Sequence, residues 1–242
     1  MEAARVLKLR GHEPIIYEKS DILGGVVIPG GAESYKKPMR DLLDWYRHQM
    51  TKLGITVHYN TEVKPDRDFG DDPVIWATGA KPVFLRNVPG FEKTVEATDF
   101  LNGTPVGDKV AVIGGSLTGC EIAYELALEG KKPFIIEMQD DLIKQKGVCL
   151  ANSSYLREWF QWQEVPVFLE STLAKVEDGA VVYKGKDGKE HREACDSVIS
   201  AVGYKPVPPI EKAKNQYLVG DCQKVGNIMT VVWKAYETAM KI

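Results

Sequence analysis

Residues 109–137 read KVAVIGGSLTGCEIAYELALEGKKPFIIE, and this stretch decides the fold. The opening KVAVI is a short apolar run, suited to a strand covered on both faces. Gly114-Gly115-Ser116-Leu117-Thr118-Gly119 then makes a glycine-rich turn into a helical segment that ends at Gly130. A second apolar run, PFII, closes on Glu137. Strand, glycine turn, helix, strand and acidic end in this order predict a dinucleotide-binding βαβ unit.

Each residue type has a reason. The first glycine permits a tight turn, and the last lets helix and strand pack closely. The helix N-terminus presents backbone N–H groups and a positive dipole end to a diphosphate. Glu137 follows Gly114 by 23 residues, where a carboxylate accepts hydrogen bonds from a ribose 2′-hydroxyl. The same charge repels a 2′-phosphate, and no arginine follows in IIEMQD, so NAD(H) is expected over NADP(H). Ser116 stands where the middle glycine of G-x-G-x-x-G would be, and its Cβ crowds the approach of a pyrophosphate.

Working outward, the chain repeats itself. Shifted by 119 residues, MEAARVLKLRGHEPIIYE (1–18) falls on CEIAYELALEGKKPFIIE (120–137) without a gap, with eight of 18 positions identical. Gly11 and Gly130 each fit a helix end that takes a left-handed residue. Glu18 matches Glu137. By this register the first copy has its helix, second strand and ribose-site acid, whereas its first strand and phosphate turn would fall ahead of Met1. The native product is therefore expected to begin earlier, or the chain to be a fragment.

The 242 residues carry 31 basic and 34 acidic side chains, a net charge of −3, with no field to draw in nucleic acid or an anionic membrane surface. No apolar run approaches the roughly 18 residues that span a bilayer, and the N-terminus has no signal-peptide core. Cys120, Cys149, Cys195 and Cys222 lie far apart, which argues against a zinc site, an iron–sulfur cluster or a redox dithiol. They read as small buried hydrophobes in a cytoplasmic protein. The four histidines share no spacing, and Trp159 and Trp162 read as packing residues on one helix. No catalytic side chain and no metal site are expected.

Lys19 to Gly25 forms a turn with adjacent glycines, Gly24 and Gly25. Residues 38–53 carry a helical stripe at Leu42, Leu43, Tyr46, Met50 and Leu53. VIWATGAKP (74–82) is an apolar strand ending in small residues, and DSVISAVGYKP (196–206) parallels it. Residues 85–105 contain Pro and Gly and read as a link between two units. Asp178-Gly179 and Asp187-Gly188 punctuate an expected β-meander. The tail holds a strand, Gly220-Asp221, then Gly226-Asn227 and a last helix, which Asp221 either precedes as a ligand contact or caps.

The set Glu18, LGG, WATGAKP, VIGGSLTGCE, SAVGYKP and LVGDC resembles the two-dinucleotide-binding-domain flavoproteins. Within them it is most similar to the C-terminal flavin and pyridine-nucleotide region of old-yellow-enzyme-type NADH:flavin oxidoreductases, the group of 2,4-dienoyl-CoA reductase, 2-enoate reductase and trimethylamine dehydrogenase. The resemblance covers essentially the whole chain. It implies an α/β fold in which a Rossmann-like NAD(P) domain (104–205) is inserted into an FAD-type βαβ domain (1–103 plus 206–242), each with a parallel sheet and a small β-meander. It further places Glu18, with Lys19 beside it, at the adenosine ribose of FAD, and Gly24-Gly25 near the flavin. Ala77, Thr78 and Gly79 pack at the crossing point, with Gly203 at the matching position of the NAD(P) domain. Gly220 and Asp221 lie along the ribityl and pyrophosphate side, and Asn227 and Ile228 open the last helix beneath the flavin. Glu121 corresponds to the acid that meets the nicotinamide end. In relatives a barrel carries FMN, and often an iron–sulfur cluster, so a barrel domain or a separate electron acceptor is the implied partner.

Two readings follow. The first is an oxidoreductase module that passes hydride from NAD(P)H to FAD, its electrons leaving for a partner. The second is a flavin-free remnant that binds NAD(H) alone or serves as an interaction scaffold.

Overall fold

The computed structural model describes residues 1–211 and 213–242. The chain divides into two units: Met1–Gly31, Lys36–Lys81 and Tyr204–Ile242 form the first, and Ala32–Tyr35 with Pro82–Gly203 the second.

Unit 1 opens with helix α1 (Glu2–Leu9) and strand β1 (Ile15–Tyr17), followed by α2 (Val27–Gly30), α3 (Lys37–Lys52), β2 (Thr56–His58), β3 (Val74–Trp76) and β4 (Ala80–Pro82), whose last residue crosses into unit 2. β1 runs parallel to β2, with Ile15 opposite Thr56 and Tyr17 opposite His58. Ala4, Leu23, Met50 and Ile55 form its small core. The α3 stripe turns inward at Leu43 and Met50, seven residues apart and so on one helical face.

Unit 2 contains β5 (Val95–Glu96), α4 (Ala97–Leu101), β6 (Lys109–Ile113), α5 (Leu117–Leu128), β7 (Lys132–Ile136), α6 (Leu150–Trp162), β8 (Val167–Phe168), β9 (Thr172–Glu177), β10 (Ala180–Lys184), β11 (Glu190–Ala194) and β12 (Ser197–Ser200). Five strands form one parallel sheet in the order β5-β12-β6-β7-β8. Strand side chains alternate between faces, and here both faces are covered. Val110 and Val112 pack with Ile122, Leu126 and Phe160 on the helical side. Ala111, Ile113, Phe134 and Ile136 pack against Val181 and Tyr183 of the antiparallel meander β9–β11 on the other. This double burial is why KVAVI and PFII are continuous apolar runs.

The chain then returns to unit 1 as β13 (Tyr204–Pro206), β14 (Gln216–Leu218) and α7 (Ile228–Ala239). β14 runs parallel to β3, and β13 lies beside β4. Gly11 and Gly130 adopt φ of +91° and +81°, as the two helix ends require.

The second compact unit comprises Pro82–Gly203 with Ala32–Tyr35, whereas the sequence reading opens the NAD(P) domain at 104. Several expectations need correction. Residues 85–105 are not a mere link: β5 pairs with β12, and Phe91 and Ala97 are fully buried. A two-residue strand has no detectable period, so Pro and Gly dominate the sequence pattern there. A meander is present in unit 2, whereas the stretch between β2 and β3 holds turns among the described residues. Cys149 is exposed, unlike the other three cysteines. Trp162 is 68% exposed, while Trp159 packs edge-on against Tyr124. Among the described residues no helix is long and apolar enough to cross a membrane.

Candidate dinucleotide site

β6 delivers the chain into the turn at Gly114, with φ of +107°. A Cβ there would lie 2.4 Å from the Ala201 carbonyl oxygen, so both conformation and space demand glycine. At Gly119 the demand is spatial alone: a Cβ would sit 1.9 Å from the Gly114 carbonyl oxygen, because α5 rises directly off the turn. Gly115 faces Leu142 and Glu137, where a Cβ would come within 2.5 Å of the Leu142 side chain.

Ser116 occupies the N-cap of α5 with φ −70° and ψ 178°. That is extended backbone open to any residue, so serine fits the turn without strain. Its hydroxyl caps no backbone N–H of the helix. Leu117 and Thr118 form the first turn of α5, and their amides belong to the N-terminal set left unbonded within a helix.

Glu137 follows β7 and is 7% exposed. Its Oε2 accepts the Gly115 amide, and its Oε1 accepts the Gln139 amide at 2.7 Å. A carboxylate has about four acceptor positions, so capacity remains for sugar hydroxyls. The segment after Glu137 returns to the turn, where the Ile143 amide donates to the Gly115 carbonyl at 2.8 Å. Arg157 of α6 braces that segment, its Nε donating to Asp141 and to the Leu142 carbonyl at 3.1 Å each. Neither this brace nor the role of Leu142 was legible in advance, because nothing in DDLIK marks a return to a turn some 25 residues earlier.

Behind the turn, Cys120 is fully buried and its Sγ lies 3.4 Å from the Gly115 carbonyl oxygen. Burial pushes its thiol well above the ordinary value, with Glu137 and Glu121 adding to the shift. The outer face of α5 receives Ala32–Tyr35. Ser34 donates its amide and hydroxyl to the Glu125 carboxylate at 2.9 Å each. The Tyr35 hydroxyl donates to the backbone carbonyl of Glu121. Gly203 lies just past β12, beyond the Ala201 carbonyl that Gly114 approaches.

The other predicted residues belong to unit 1. Glu18 follows β1, and its Oε1 accepts the amide and hydroxyl of Ser20 at 2.8 Å each. Lys19 is exposed and paired with Glu62 at 3.0 Å. Gly24 packs against Ile28 and Leu43, and Gly25 meets open space. Ala77 and Thr78 are exposed past β3, with Gly79 after them. Gly220 precedes Asp221, whose Oδ1 accepts the Gly226 amide at 3.0 Å. Asp221 is not the cap of the last helix. Asn227 is, through a reciprocal capping box with Thr230, and Ile228 is the first residue of α7.

Comparison with known proteins agrees with this geometry. Residues 64–221 match the family described as pyridine nucleotide-disulphide oxidoreductase. The chain is 36% identical to cinnamate reductase of Clostridium sporogenes and 30% identical to NADH oxidase of Thermoanaerobacter brockii, in both cases along its full length. It spans 37% and 39% of those proteins. Among solved structures, 2-naphthoyl-CoA reductase in complex with 2-naphthoyl-CoA matches with a TM-score of 0.87 and 26% identity, covering all of this chain and 38% of that one. The chain belongs to the pyridine nucleotide-disulphide oxidoreductase family, as the flavin and pyridine-nucleotide region of old-yellow-enzyme-type flavoproteins.

Proposed function

We propose that this chain is the nucleotide-binding module of an oxidoreductase that takes reducing equivalents from NADH, passes them as hydride to FAD, and yields electrons to a barrel domain or separate acceptor. The observation that carries the reading is the β6–turn–α5–β7 unit with Glu137 hydrogen-bonded to the turn.

The residues of unit 2 fit a pyridine dinucleotide. The amides at the start of α5 would hold the diphosphate, aided by the helix dipole. Glu137 would accept from the adenosine ribose and disfavour a 2′-phosphate, which is the basis for NAD(H) over NADP(H). Glu121, one turn into α5, would meet the nicotinamide end. Bound NADH supplies the hydride, and the chain contributes position and electrostatics rather than a side-chain acid or base.

In unit 1, Glu18 and Lys19 would hold the adenosine ribose of FAD. Gly24, Gly25 and the Ala77–Gly79 segment would line the flavin, with Gly220 and Asp221 along the ribityl chain. The opening of α7 at Asn227 and Ile228 would place a helix N-terminus, which favours negative charge, against the flavin. No residue is assigned to the FAD diphosphate. The second reading is that the chain binds NAD(H) and no flavin.

Titration of the purified chain with NADH and NADPH, read by quenching of tryptophan fluorescence, tests the nucleotide assignment. Tighter binding of NADH is expected, and equal or absent binding of both overturns it. Anaerobic NADH added after incubation with FAD separates the two readings by whether the flavin's visible absorbance is lost.

A further inference from the structure

Ile143 has a φ of +51°. The left-handed region is uncommon for any side chain and an outlier for a β-branched one. Four other non-glycine residues among those described share a positive φ, and none is branched at Cβ: Asn60, Glu164, Glu170 and Asn215. Backbone strain of this kind persists only where the surroundings over-determine it.

Three sets of contacts hold Ile143 there. Its amide donates to the Gly115 carbonyl at 2.8 Å. Its side chain and that of Leu142, each 4% exposed, are packed into the core on the helical side of the sheet. The Arg157 guanidinium then spans the backbone around it. Nε donates to Asp141 and to the Leu142 carbonyl, while Nη2 donates to the Leu142 carbonyl and, at 3.4 Å, to that of Ile143. The Asp141 carboxylate in turn accepts the Leu142 amide at 2.8 Å.

The strain sits directly behind the candidate site. Gly115 is gripped on both sides, its amide donating to Glu137 and its carbonyl accepting from Ile143. That carbonyl belongs to the peptide that leads into Ser116, the N-cap of α5. A backbone flip at Ile143 would turn its amide away from Gly115 and release this peptide.

We propose that Arg157 is a positioning residue for the pyridine dinucleotide. By clamping residues 141–143 it keeps Ile143 left-handed, and so presents the Gly115–Ser116 peptide, the start of α5 and Glu137 in one geometry before the ligand arrives. The proposal rests on the nucleotide reading above, and Arg157 acts through residues 141–143 rather than by touching the ligand. Without the clamp only a fraction of molecules is competent to bind, and apparent affinity falls by that fraction. The task suits arginine, whose planar fork bonds several neighbouring oxygens together, whereas a lysine ammonium is a single point charge.

The test uses the full chain in three variants: Arg157→Met, Arg157→Lys, and Arg157→Met combined with Ile143→Gly. NADH affinity is read by tryptophan quenching, stability by thermal melting, and exchange of the Ile143 amide by NMR without nucleotide. Arg157→Met is expected to weaken NADH binding about tenfold and to speed Ile143 exchange by a similar factor. Arg157→Lys is expected to recover little of either. In the double variant, loss of a buried side chain lowers Tm further. NADH affinity is nonetheless expected to return towards that of the parent, because glycine enters the left-handed region without strain. Affinity and stability then move in opposite directions, which damage to packing alone does not produce.

A parent that binds NADH while Arg157→Met binds it equally well overturns the proposal, as does a double variant that binds no better than Arg157→Met. Should the double variant not fold, Arg157→Met decides alone. Fast Ile143 exchange that saturating NADH slows to the parent rate supports the clamp, and exchange that stays slow without nucleotide overturns it. A parent that does not bind NADH overturns the nucleotide reading and this proposal with it, so the two failures are distinguishable.

Discussion

Glu137 and Gly115 are joined side chain to backbone, the carboxylate at the end of one strand accepting the amide inside the turn that follows another. The bond ties the residue that would read the ribose to the loop that would hold the diphosphate, so site and fold share one interaction. Glu137→Ala leaves the Gly115 and Gln139 amides without this acceptor at a nearly buried position, at a cost of about 2 kcal/mol. Thermal melts should show a Tm lower by roughly 4–8 °C. Glu137→Gln keeps an acceptor but not the charge. Its melting temperature should fall less, while its preference for NADH over NADPH narrows. An unchanged preference would separate Glu137 from ribose recognition.

Gly119 tests how closely α5 rises off the turn. In Gly119→Ala the new methyl meets a backbone oxygen, which cannot rotate away as a side chain would. The helix start must shift, at a cost of about 1–3 kcal/mol, and the amides proposed to hold the diphosphate shift with it. Loss of both Tm and NADH affinity is expected. Gly179→Ala, at a hairpin tip with open space but a left-handed φ of +76°, should also lower Tm through backbone strain, yet bind NADH unchanged.

Ser116 points the other way. Because its hydroxyl caps nothing in α5, Ser116→Gly should change stability by only a few tenths of a kcal/mol. Removing the Cβ opens the closest approach to the diphosphate, and NADH should bind more tightly by a gain on the order of 1 kcal/mol, several-fold in Kd. Weaker binding by the glycine variant would show that the serine hydroxyl itself contacts the ligand.

The strand–turn–helix–strand unit at 109–137 was legible because every part of it is a local pattern: two apolar runs, a glycine cluster and a helix stop. Glu18 and Glu137 emerged together because the repeat put them in register. Long-range contacts were not legible in the same way. Val95 and Glu96 are a strand only because β12 lies beside them, and Phe91 is buried only because the sheet and meander meet there. Likewise Asp221 and Asn227 both suit a helix start by residue type, and only the geometry shows which of them binds the first turn. The bracing of 139–143 by Arg157 joins residues whose identities carry no mutual signature.

The four cysteines should separate by reactivity. Cys149 is exposed, whereas Cys120, Cys195 and Cys222 are buried. Burial also raises the thiols of Cys120 and Cys195, which lowers their thiolate fraction. An aromatic disulfide reagent at mildly alkaline pH should therefore modify Cys149 fast in the native chain and the other three only after denaturation. Cys149→Ser should abolish the fast phase. A fast phase that survives that change would mean that one of the buried thiols is transiently opened.

Asp221 gives stability a defined dependence on pH. Burial pushes its carboxyl above the ordinary carboxylate value, and the hydrogen bond from the Gly226 amide offsets part of that shift. A raised value in the folded state means that the folded chain holds this proton more tightly than the unfolded chain does. The contribution of Asp221 to stability is therefore greatest in acid, and is lost as pH rises from the ordinary carboxylate value through the folded one. Asp221→Asn retains a carbonyl oxygen for the Gly226 amide and has no charge to bury. Melting curves of parent and variant should diverge in favour of asparagine as pH rises above the ordinary carboxylate value and run parallel once the folded carboxyl has ionised. Parallel curves across the whole range would mean that the carboxylate is as well solvated in the folded chain as in the unfolded one, and that Asp221 serves the turn before α7 through its hydrogen bond alone.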